Sequence, residues 1–265
     1  MDLGLKDARV VVTGGASNIG RGIVHDFARE GARIVLADID GEQAQRVVDE
    51  AIALGAAEAL PAVGDLTVAG VADNTVRVAV DAWGGVDVLV NNAGWSVPGF
   101  IAKNTDRDNW QKTVEINFYT AIAATQAVLG PMRDAGQGSI VFIASEAAFG
   151  QIRQGVYGAT KAAVVALART TAREHGRHGI RSNVVCPGLV VPEGPEAVGT
   201  QSLWAVGTDN VFNETQMEYL MKDTPLGRTT SAADIAHAVL FLSSPVAARQ
   251  VTGQLFSVSG GYTMP

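Results

Sequence analysis

The chain has 265 residues, of which 47% are hydrophobic and 18% charged, so it can bury a large core and is not expected to be disordered. Its 20 lysines and arginines against 27 acidic residues give a formal net charge of −7, which disfavours binding to nucleic acid or to an anionic membrane. The single cysteine, Cys186, excludes a disulfide or a thiolate metal cluster within the chain. We expect a cytoplasmic protein with a small-molecule substrate, since the N-terminus lacks the basic start of a signal peptide and no apolar run is long enough to span a membrane.

Short runs rich in valine and isoleucine recur along the chain, and each is followed by a longer alanine-rich stretch with helical spacing. Apolar strands that alternate with amphipathic helices are typical of a parallel sheet covered by helices on both faces. The predicted strands lie near residues 8–13, 33–37, 58–63, 86–91, 138–144, 180–186 and 254–258. We therefore expect one α/β domain over residues 1–265, with a doubly wound fold of the Rossmann type and a seven-stranded parallel sheet.

Residues 188–225 have a different composition from the rest of the chain. They contain no clear strand pattern and mix proline and glycine with Trp204, Phe212 and Met217. Long connections without regular structure are uncommon in compact domains and are often functional. We expect this segment to be partly helical and to lie above the carboxyl ends of the strands as a substrate lid.

A glycine-rich turn, Thr13-Gly14-Gly15-Ala16-Ser17-Asn18-Ile19-Gly20, follows the first predicted strand and opens a helix. Glycines let the backbone approach a pyrophosphate, and a helix N-terminus favours its negative charge, although an ordinary tight turn is the alternative. Asp38 ends the second strand, where its carboxylate can accept hydrogen bonds from ribose hydroxyls and would repel a 2′-phosphate. Either Asp38 or Asp40 could instead cap the next helix. The ribose interpretation favours NAD over NADP as the cofactor.

Three polar side chains predict hydroxyl chemistry. Tyr157 and Lys161 lie four residues apart, so on a helix they share one face, and we expect the ammonium to lower the pKa of the phenol. Ser145 ends an apolar strand and would place its hydroxyl at the edge where ligands bind, or it could cap a helix. Asn117 is an unfavourable choice within a predicted helix over residues 110–129, where it could serve as a satisfied core amide.

Taken together, the motifs of this chain resemble those of the short-chain dehydrogenases/reductases, in the same order and over essentially its whole length. The motifs are Thr13-Gly14-x-x-x-Asn18-Ile19-Gly20, Asn91-Asn92-Ala93-Gly94, Ser145, Tyr157-x-x-x-Lys161 and Pro187-Gly188. Asn18 stands where the family has glycine, and asparagine tolerates the left-handed backbone conformation best after glycine. Val191 and Pro192 occupy the stretch where the family usually has a threonine that contacts the nicotinamide amide.

The resemblance implies roles for individual residues. Catalysis would depend on Ser145, Tyr157, Lys161 and Asn117, the last of which would hold a water that links Lys161 to solvent. The cofactor pocket would contain Gly14, Ser17, Asn18, Ile19, Gly20, Asp38, Asp65, Leu66, Asn91, Ala93, Gly94, Tyr157, Lys161, Pro187, Gly188 and Val190.

Some of the implied site residues could instead have a structural role. Asp65 could equally cap a helix that starts at Leu66. The substrate would meet Ser145, Tyr157, Ala147 and the indoles of Trp95 and Trp204. Both tryptophans could also simply pack beneath the lid.

The leading hypothesis is an NAD-dependent enzyme that interconverts a secondary alcohol and a ketone by hydride transfer. A finer similarity, carried by residues 92–95, 185–188 and 257–261, is to dehydrogenases of alicyclic hydroxy acids and their CoA esters, which suggests a small cyclic or acyl hydroxy substrate. A 3-oxoacyl-carrier-protein reductase is the alternative, disfavoured by Asp38 and by the net charge. A non-catalytic NAD-binding sensor would have no need to keep both Tyr157 and Lys161.

Two further expectations concern metals and assembly. His175 and His178 lie next to glycines after a long helix, a position that favours helix termination over a metal site, so no metal is expected. Residues 162–167 and 121–124 are apolar on nearly all sides of their helices, and a monomer would expose part of them. Pairing of these helices across two-fold axes predicts a homotetramer.

Overall fold

A computed structural model describes residues 2–200, 202–206 and 214–265. Its strands are β1 Arg9–Thr13, β2 Arg33–Asp38, β3 Glu58–Val63, β4 Val88–Asn91, β5 Gly138–Ile143, β6 Ile180–Pro187 and β7 Leu255–Val258. They form one sheet in the order β3-β2-β1-β4-β5-β6-β7, and every neighbouring pair is parallel. The predicted fold class is confirmed, and each predicted strand is present with its ends within about two residues.

Helices follow the strands in the expected alternation. They are α1 Asn18–Arg29, α2 Gly41–Leu54, α3 Val71–Trp83, α4 Arg107–Val114, α5 Thr120–Ala135, α6 Gly155–His175, α7 Glu214–Asp223 and α8 Ala232–Ser243. A π-helical turn, Glu115–Tyr119, joins α4 to α5, so the helix predicted over residues 110–129 is present but interrupted. Within the described ranges, no helix combines the length and the apolarity needed to cross a membrane.

The helix start expected at Leu66 is wrong, because α3 begins at Val71. The carboxylate of Asp65 accepts hydrogen bonds from the backbone N–H of Thr67 at 2.9 Å and from its hydroxyl at 2.7 Å. This local bonding closes a turn and competes with helical geometry. Asp65 therefore fixes a loop after β3 and does not cap α3.

Two hydrophobic cores lie on opposite faces of the sheet. Successive side chains of a strand point to opposite faces, and accordingly Val10 and Val12 join one core whereas Val11 joins the other. The first core includes residues of α1, α2 and α8, and the second includes residues of α3, α5 and α6. Because both faces are covered, the strands read as continuous apolar runs, which is why the sequence located them so closely.

The strand order positions the functional site. From β1 the sheet grows outward through β2 and β3, and the chain then returns to add β4 on the other side of β1. Such a reversal opens a crevice at the carboxyl ends of the strands. The expected lid follows β6 and contains short 3-10 helices at Pro195–Ala197 and Leu203–Val206 and then α7. Phe212 lies outside the described residues.

Candidate active site

A cavity of about 690 Å³ opens at the carboxyl ends of the central strands. The residues Gly14, Asp38, Asn92, Ile143 and Pro187, from the ends of five different strands, all line it. Most predicted site residues line this cavity as well, namely Gly14, Ser17, Asn18, Ile19, Asp38, Asp65, Leu66, Ala93, Gly94, Trp95, Ser145, Tyr157, Lys161, Pro187, Gly188, Val190 and Trp204. The fold therefore brings the positions predicted for the cofactor, for catalysis and for the lid together in one place.

Four predicted site residues do not line the cavity. Gly20 packs behind the glycine-rich turn, where an added Cβ would lie only 2.0 Å from the carbonyl oxygen of Gly14. Asn91 is buried, and its amide donates to the hydroxyl of Thr125 at 3.0 Å. Ala147 is buried and donates its backbone N–H to Ser145 Oγ at 3.2 Å, and Asn117 is buried beneath Trp95. These four residues lie behind the residues that line the cavity, and their predicted roles remain predictions.

The glycine-rich turn has a backbone that only certain residues allow. Gly14 has φ +61, and a Cβ there would lie 2.9 Å from the Cα of Ala93. Asn18 has φ +41, in agreement with the expected left-handed conformation. The side-chain amide of Asn92 donates to the carbonyl oxygens of Thr13 at 3.0 Å and Gly14 at 2.8 Å. The turn is thus held open at the N-terminus of α1, and this cradle fits the diphosphate of a dinucleotide.

Asp38 and Asp40, which the sequence left as alternative caps, have different roles. Asp40 caps α2, because its Oδ1 accepts the backbone N–H of Gln43 at 3.1 Å. Asp38 lines the cavity and accepts backbone N–H groups of Ala16 at 3.0 Å and Asp40 at 3.1 Å. Burial raises the pKa of Asp38, and these hydrogen bonds oppose that effect. Asp38 therefore does not cap α2, and its role toward an adenosine ribose remains a prediction.

The beginning of the lid contacts this same end of the cavity, which the sequence did not indicate. Gly199 donates its N–H to the hydroxyl of Ser17 at 3.2 Å, and Thr200 donates its hydroxyl to Asp40 Oδ2 at 2.9 Å. The side-chain amide of Gln43 donates to the carbonyl oxygen of Glu196 at 3.1 Å. Hydrogen bonds of residues 196–200 thus connect the segment expected to be a lid to the N-terminal ends of α1 and α2.

Ser145, Tyr157 and Lys161 meet at the centre of the cavity. Ser145 and Tyr157 both line it, the Ser145 side chain lies close enough to lower the pKa of the Tyr157 phenol, and Lys161 Nζ lies 5.6 Å from the centroid of the Tyr157 ring. Lys161 Nζ donates to the carbonyl oxygen of Ile143 at 2.8 Å. Ser145 also begins a 3-10 helix, Glu146–Phe149, so its site role and its capping role coexist.

Contrary to the expectation from the sequence, the pKa of Tyr157 is not lowered beside Lys161 in the ligand-free protein. Desolvation raises the pKa of the half-buried Tyr157 to about 12, and the hydrogen bond from Ser145 only partly offsets this. The same burial lowers the pKa of Lys161 to about 8. Burial disfavours both charged forms, and the lysine ammonium is directed at a backbone carbonyl, so desolvation outweighs the attraction between the two groups.

Asn117 fixes the loop that follows β4. Its Oδ1 accepts the backbone N–H of Trp95 at 2.7 Å, and its Nδ2 donates to the carbonyl oxygen of Trp95 at 2.8 Å and to Thr160 Oγ1 at 3.1 Å. This satisfied amide matches the structural alternative, and its role toward a water remains a prediction. Gly94 packs closely beside it, since an added Cβ would lie 3.3 Å from both Asn117 Oδ1 and Lys161 Nζ, and these atoms would have to shift slightly.

Several residues at the cavity were not indicated by the sequence. Lys112 on α4, Arg153 before α6 and Tyr262 near the C-terminus all line it. Glu146 lines it too, is buried, and accepts the backbone N–H of Thr263 at 3.1 Å. They carry no local pattern, because loops and the C-terminal segment bring them to the site from distant parts of the chain.

No metal centre is formed by the described residues, since no three His, Cys, Asp or Glu side chains among them are placed to share an ion. His175 ends α6, and His178 ends the 3-10 turn Gly176–His178 that follows, as expected for helix termination. Cys186 is buried, and desolvation raises the pKa of its thiol to about 11, so it is a core residue rather than a reactive thiolate.

Comparisons with known proteins agree with this geometry. A family model described as enoyl-(acyl carrier protein) reductase matches residues 14–263. The (2S)-[(R)-hydroxy(phenyl)methyl]succinyl-CoA dehydrogenase subunit BbsD of Thauera aromatica is 35% identical over 99% of both chains. The 3-oxoacyl-[acyl-carrier-protein] reductase FabG of Chlamydia pneumoniae is 30% identical over 99% of this chain and 100% of its own. A crystal structure from Sinorhizobium meliloti 1021, described as a short-chain alcohol dehydrogenase, covers 99% of this chain and 98% of its own, with 27% identity and a TM-score of 0.88.

Proposed function

The chain belongs to the short-chain dehydrogenase/reductase family of oxidoreductases, and from this premise we propose that it interconverts a secondary alcohol and a ketone with NAD as the cofactor. The observation that carries the proposal is that Ser145, Tyr157 and Lys161 line one cavity together with the glycine-rich cradle and Asp38, with Lys161 Nζ 5.6 Å from the centroid of the Tyr157 ring. Two adjacent hydroxyls form a site for the oxygen of an alcohol or a ketone. The cradle is of the shape that a dinucleotide needs.

The side chains divide the reaction between binding and proton transfer. Ser145 positions the substrate oxygen, and Tyr157, with a pKa of about 12, keeps its proton at neutral pH and can donate it to the oxygen of a ketone. In the opposite direction Tyr157 must first release its own proton to solvent, and the phenolate then takes the hydroxyl proton of the alcohol. When bound, NAD supplies or accepts the hydride and, in its oxidised form, adds a positive charge to the site. Lys161 holds the ribose next to the nicotinamide.

Charge at the adenosine end supports NAD rather than NADP. The carboxylate of Asp38 would repel a 2′-phosphate. Arg21 on α1 is held by Glu50 through hydrogen bonds of 2.8 and 3.0 Å, so its guanidinium is already engaged. The carboxylates of Glu193 and Glu196 also raise the pKa of Arg21, and so they add negative charge to this end.

The lid and the relatives support a substrate of moderate size. Trp204, Leu220 and Met221 of the lid line the cavity and would surround a cyclic or acyl group. By its name, the relative from Thauera aromatica acts on a hydroxyacyl-CoA ester. The name of the FabG relative supports the alternative, a 3-oxoacyl-carrier-protein reductase.

The proposal includes a cytoplasmic homotetramer formed by a single catalytic domain with residues 188–225 as its lid. Ala162 and Ala166 on α6 are exposed, and Ala163 and Leu167 are half-buried, so this helix presents an apolar outer face. A copy of the same face across a two-fold axis would cover it.

A panel of substrates tests the reaction. Cyclohexanol, 3-hydroxybutyrate and 3-hydroxybutyryl-CoA are offered with NAD⁺ or NADP⁺, and 3-oxoacyl thioesters with the reduced cofactors, while the absorbance of the reduced nicotinamide is followed. We expect oxidation of at least one alcohol with NAD⁺ preferred. A preference for reducing 3-oxoacyl thioesters with NADPH would establish the alternative instead.

Tyr157→Phe tests the assignment of the proton-transfer group. The ring packing remains and only the hydroxyl is lost, so turnover should fall by at least about 100-fold while NAD binding is retained. Tyr119→Phe is the matched control, since Tyr119 is 57% exposed and does not line the cavity. Turnover of Tyr157→Phe within a few-fold of the parent would contradict the mechanism.

A further inference from the structure

Two exposed basic side chains that line the cavity have no ion-pair partner among the described residues. Four basic residues line it among those described: Lys112, Arg153, Lys161 and Arg228. Lys161 is buried in the catalytic centre, and Arg228 forms hydrogen bonds of 2.8 and 3.2 Å with Asp234. In the part of the chain that the structure describes, Lys112 and Arg153 make no ion pair with a carboxylate.

Both cations are held over aromatic rings of one loop. Lys112 Nζ lies 4.5 Å from the centroid of the Trp95 ring, and Arg153 Cζ lies 5.7 Å from that of Phe100. A cation over an aromatic face is attracted to the ring and yet keeps its full charge. These contacts therefore position the two groups at the cavity without neutralising them.

The loop that carries the rings is fixed, so the positions of the cations are defined. Asn117 binds the backbone of Trp95 on both sides, as described above. The hydroxyl of Ser96 donates to Gln154 Oε1 at 3.0 Å, and Gly99 donates its N–H to the carbonyl oxygen of Arg153 at 2.8 Å. Residues 95–100 and the segment before α6 thus form one wall of the cavity.

The backbone of Arg153 is strained. Its φ is +67, in the left-handed region that a side chain other than glycine enters at a cost of about 1 kcal/mol or more. The hydrogen bond from Gly99 maintains this conformation. Strained residues cluster at active sites and ligand clamps, and the exposed side chain of Arg153 has no carboxylate partner among the residues that the structure describes.

The acidic groups in this half of the cavity are already engaged by neutral donors. Glu115 accepts the side-chain amide of Gln111 at 2.7 Å, and the buried Glu146 accepts the backbone N–H of Thr263. Asp38 ends β2, and Asp40 and Asp65 follow β2 and β3, which lie on the other side of β1 from β4 and β5. Glu115 and Glu146 keep their negative charge in these hydrogen bonds, but among the described residues neither forms an ion pair with Lys112 or Arg153.

We propose that Lys112 and Arg153 form an anion subsite, so that the substrate carries an oxyanion, a carboxylate or a phosphate, in addition to its reacting hydroxyl. The guanidinium can bind such a group with two parallel hydrogen bonds, and the ammonium adds a point charge. The inference rests on the proposed function, because the reacting oxygen is placed at Ser145 and Tyr157. A neutral secondary alcohol would leave both cations without a partner.

Binding is the primary test, since it does not depend on turnover. The NAD⁺-saturated protein is titrated with 3-hydroxybutyrate, its neutral methyl ester and 3-hydroxybutyryl-CoA, and tryptophan fluorescence is followed because Trp95 lies under Lys112. We expect saturable binding of at least one anion that is at least tenfold tighter than that of the methyl ester. Arg153→Gln and Lys112→Gln should each weaken the binding of this anion about tenfold. Comparing the affinity for 3-hydroxybutyrate with that for its CoA ester distinguishes a subsite for a carboxylate from one for a carrier phosphate.

Lys103→Gln is the matched control, since it removes the same charge from an exposed residue of the neighbouring turn that does not line the cavity. It should leave the affinity for the anion within twofold of the parent. Equal affinity for the anions and the ester, or equal weakening by all three variants, would overturn the subsite. Absence of saturable anion binding would overturn it too.

Turnover with the same compounds separates this inference from the proposed function. For an anionic alcohol that is oxidised, Arg153→Gln should raise KM about tenfold and leave kcat within twofold, because the reacting centre is untouched. Oxidation of neutral alcohols alone would support the proposed function and refute the anion subsite. Anion binding without oxidation of any alcohol would refute the proposed function and leave the subsite standing.

Discussion

Replacing Lys161 with methionine is expected to abolish turnover and, at the same time, to stabilise the ligand-free protein. Lys161 is 3% exposed, and burial lowers its pKa from 10.5 to about 8. At about 1.4 kcal/mol per pH unit, that difference means that the buried ammonium costs about 3 kcal/mol of stability at neutral pH. The variant also loses the hydrogen bond from Nζ to the carbonyl oxygen of Ile143, which reduces the expected gain in stability by about 1 kcal/mol. Lys161→Met should therefore be about 2 kcal/mol more stable near pH 7.

The stability gained by Lys161→Met should decrease as the pH rises. Below about pH 8 the lysine is protonated in both the folded and the unfolded state, so the full cost is present. Between about pH 8 and 10.5 the folded state has released its proton while the unfolded state still holds one, so the stability of the parent rises with pH. The difference between parent and variant should be about 2 kcal/mol smaller near pH 9.5 and hence close to zero.

Urea unfolding of both proteins at several pH values measures this difference. Tyr157 and Cys186 also titrate at high pH, but they are common to both proteins, and their effects largely cancel in the comparison. Lys103→Met, a change at an exposed lysine, should show neither the gain nor its pH dependence. If Lys161→Met were less stable than the parent near pH 7, or if the gap were the same at all pH values, desolvation would not be the dominant effect on this lysine.

Two further variants test the cofactor end of the cavity, and a size measurement tests the assembly. Asp38→Ala combined with Ile39→Arg removes a carboxylate that repels the 2′-phosphate and adds an arginine that can bind it. The ratio of kcat/KM for NADP⁺ to kcat/KM for NAD⁺ should therefore rise at least about tenfold. An unchanged ratio would show that Asp38 does not select the cofactor. Thr200→Val removes the hydroxyl bonded to Asp40, so stopped-flow fluorescence should show NADH leaving several-fold faster, and an unaltered release rate would mean that residues 196–200 do not retain the cofactor. Light scattering at micromolar concentration should detect a particle of about four chains, whereas a stable, active particle of 27.6 kDa would exclude the tetramer.

The sequence by itself was sufficient to locate the sheet and the centre of the site. The five central strands are buried between two layers of helices, so they appear as mostly apolar runs that need no long-range information to be recognised, whereas the edge strands β3 and β7 are partly exposed. The same is true of the turn from Gly14 to Gly20 and of the pair Tyr157 and Lys161, since local backbone geometry and helical spacing determine their arrangement.

Tertiary structure alone decided the features that depend on burial or on distant segments. Asp38 and Asp40 are equivalent as cap candidates in the sequence, and only the fold shows Asp40 on the N-terminus of α2 and Asp38 at the cavity. The pKa of Tyr157 could not be foreseen from Lys161, because desolvation arises from every segment that packs around the phenol. Arg153 and Lys112 are ordinary polar residues in the sequence, and they become two available cations in one cavity only because a fixed loop brings aromatic rings under both. The spacing of residues along the chain reflects contacts between residues that are close in sequence. The pKa of a side chain, its burial and its place in a cavity wall depend on residues that the fold brings close in space.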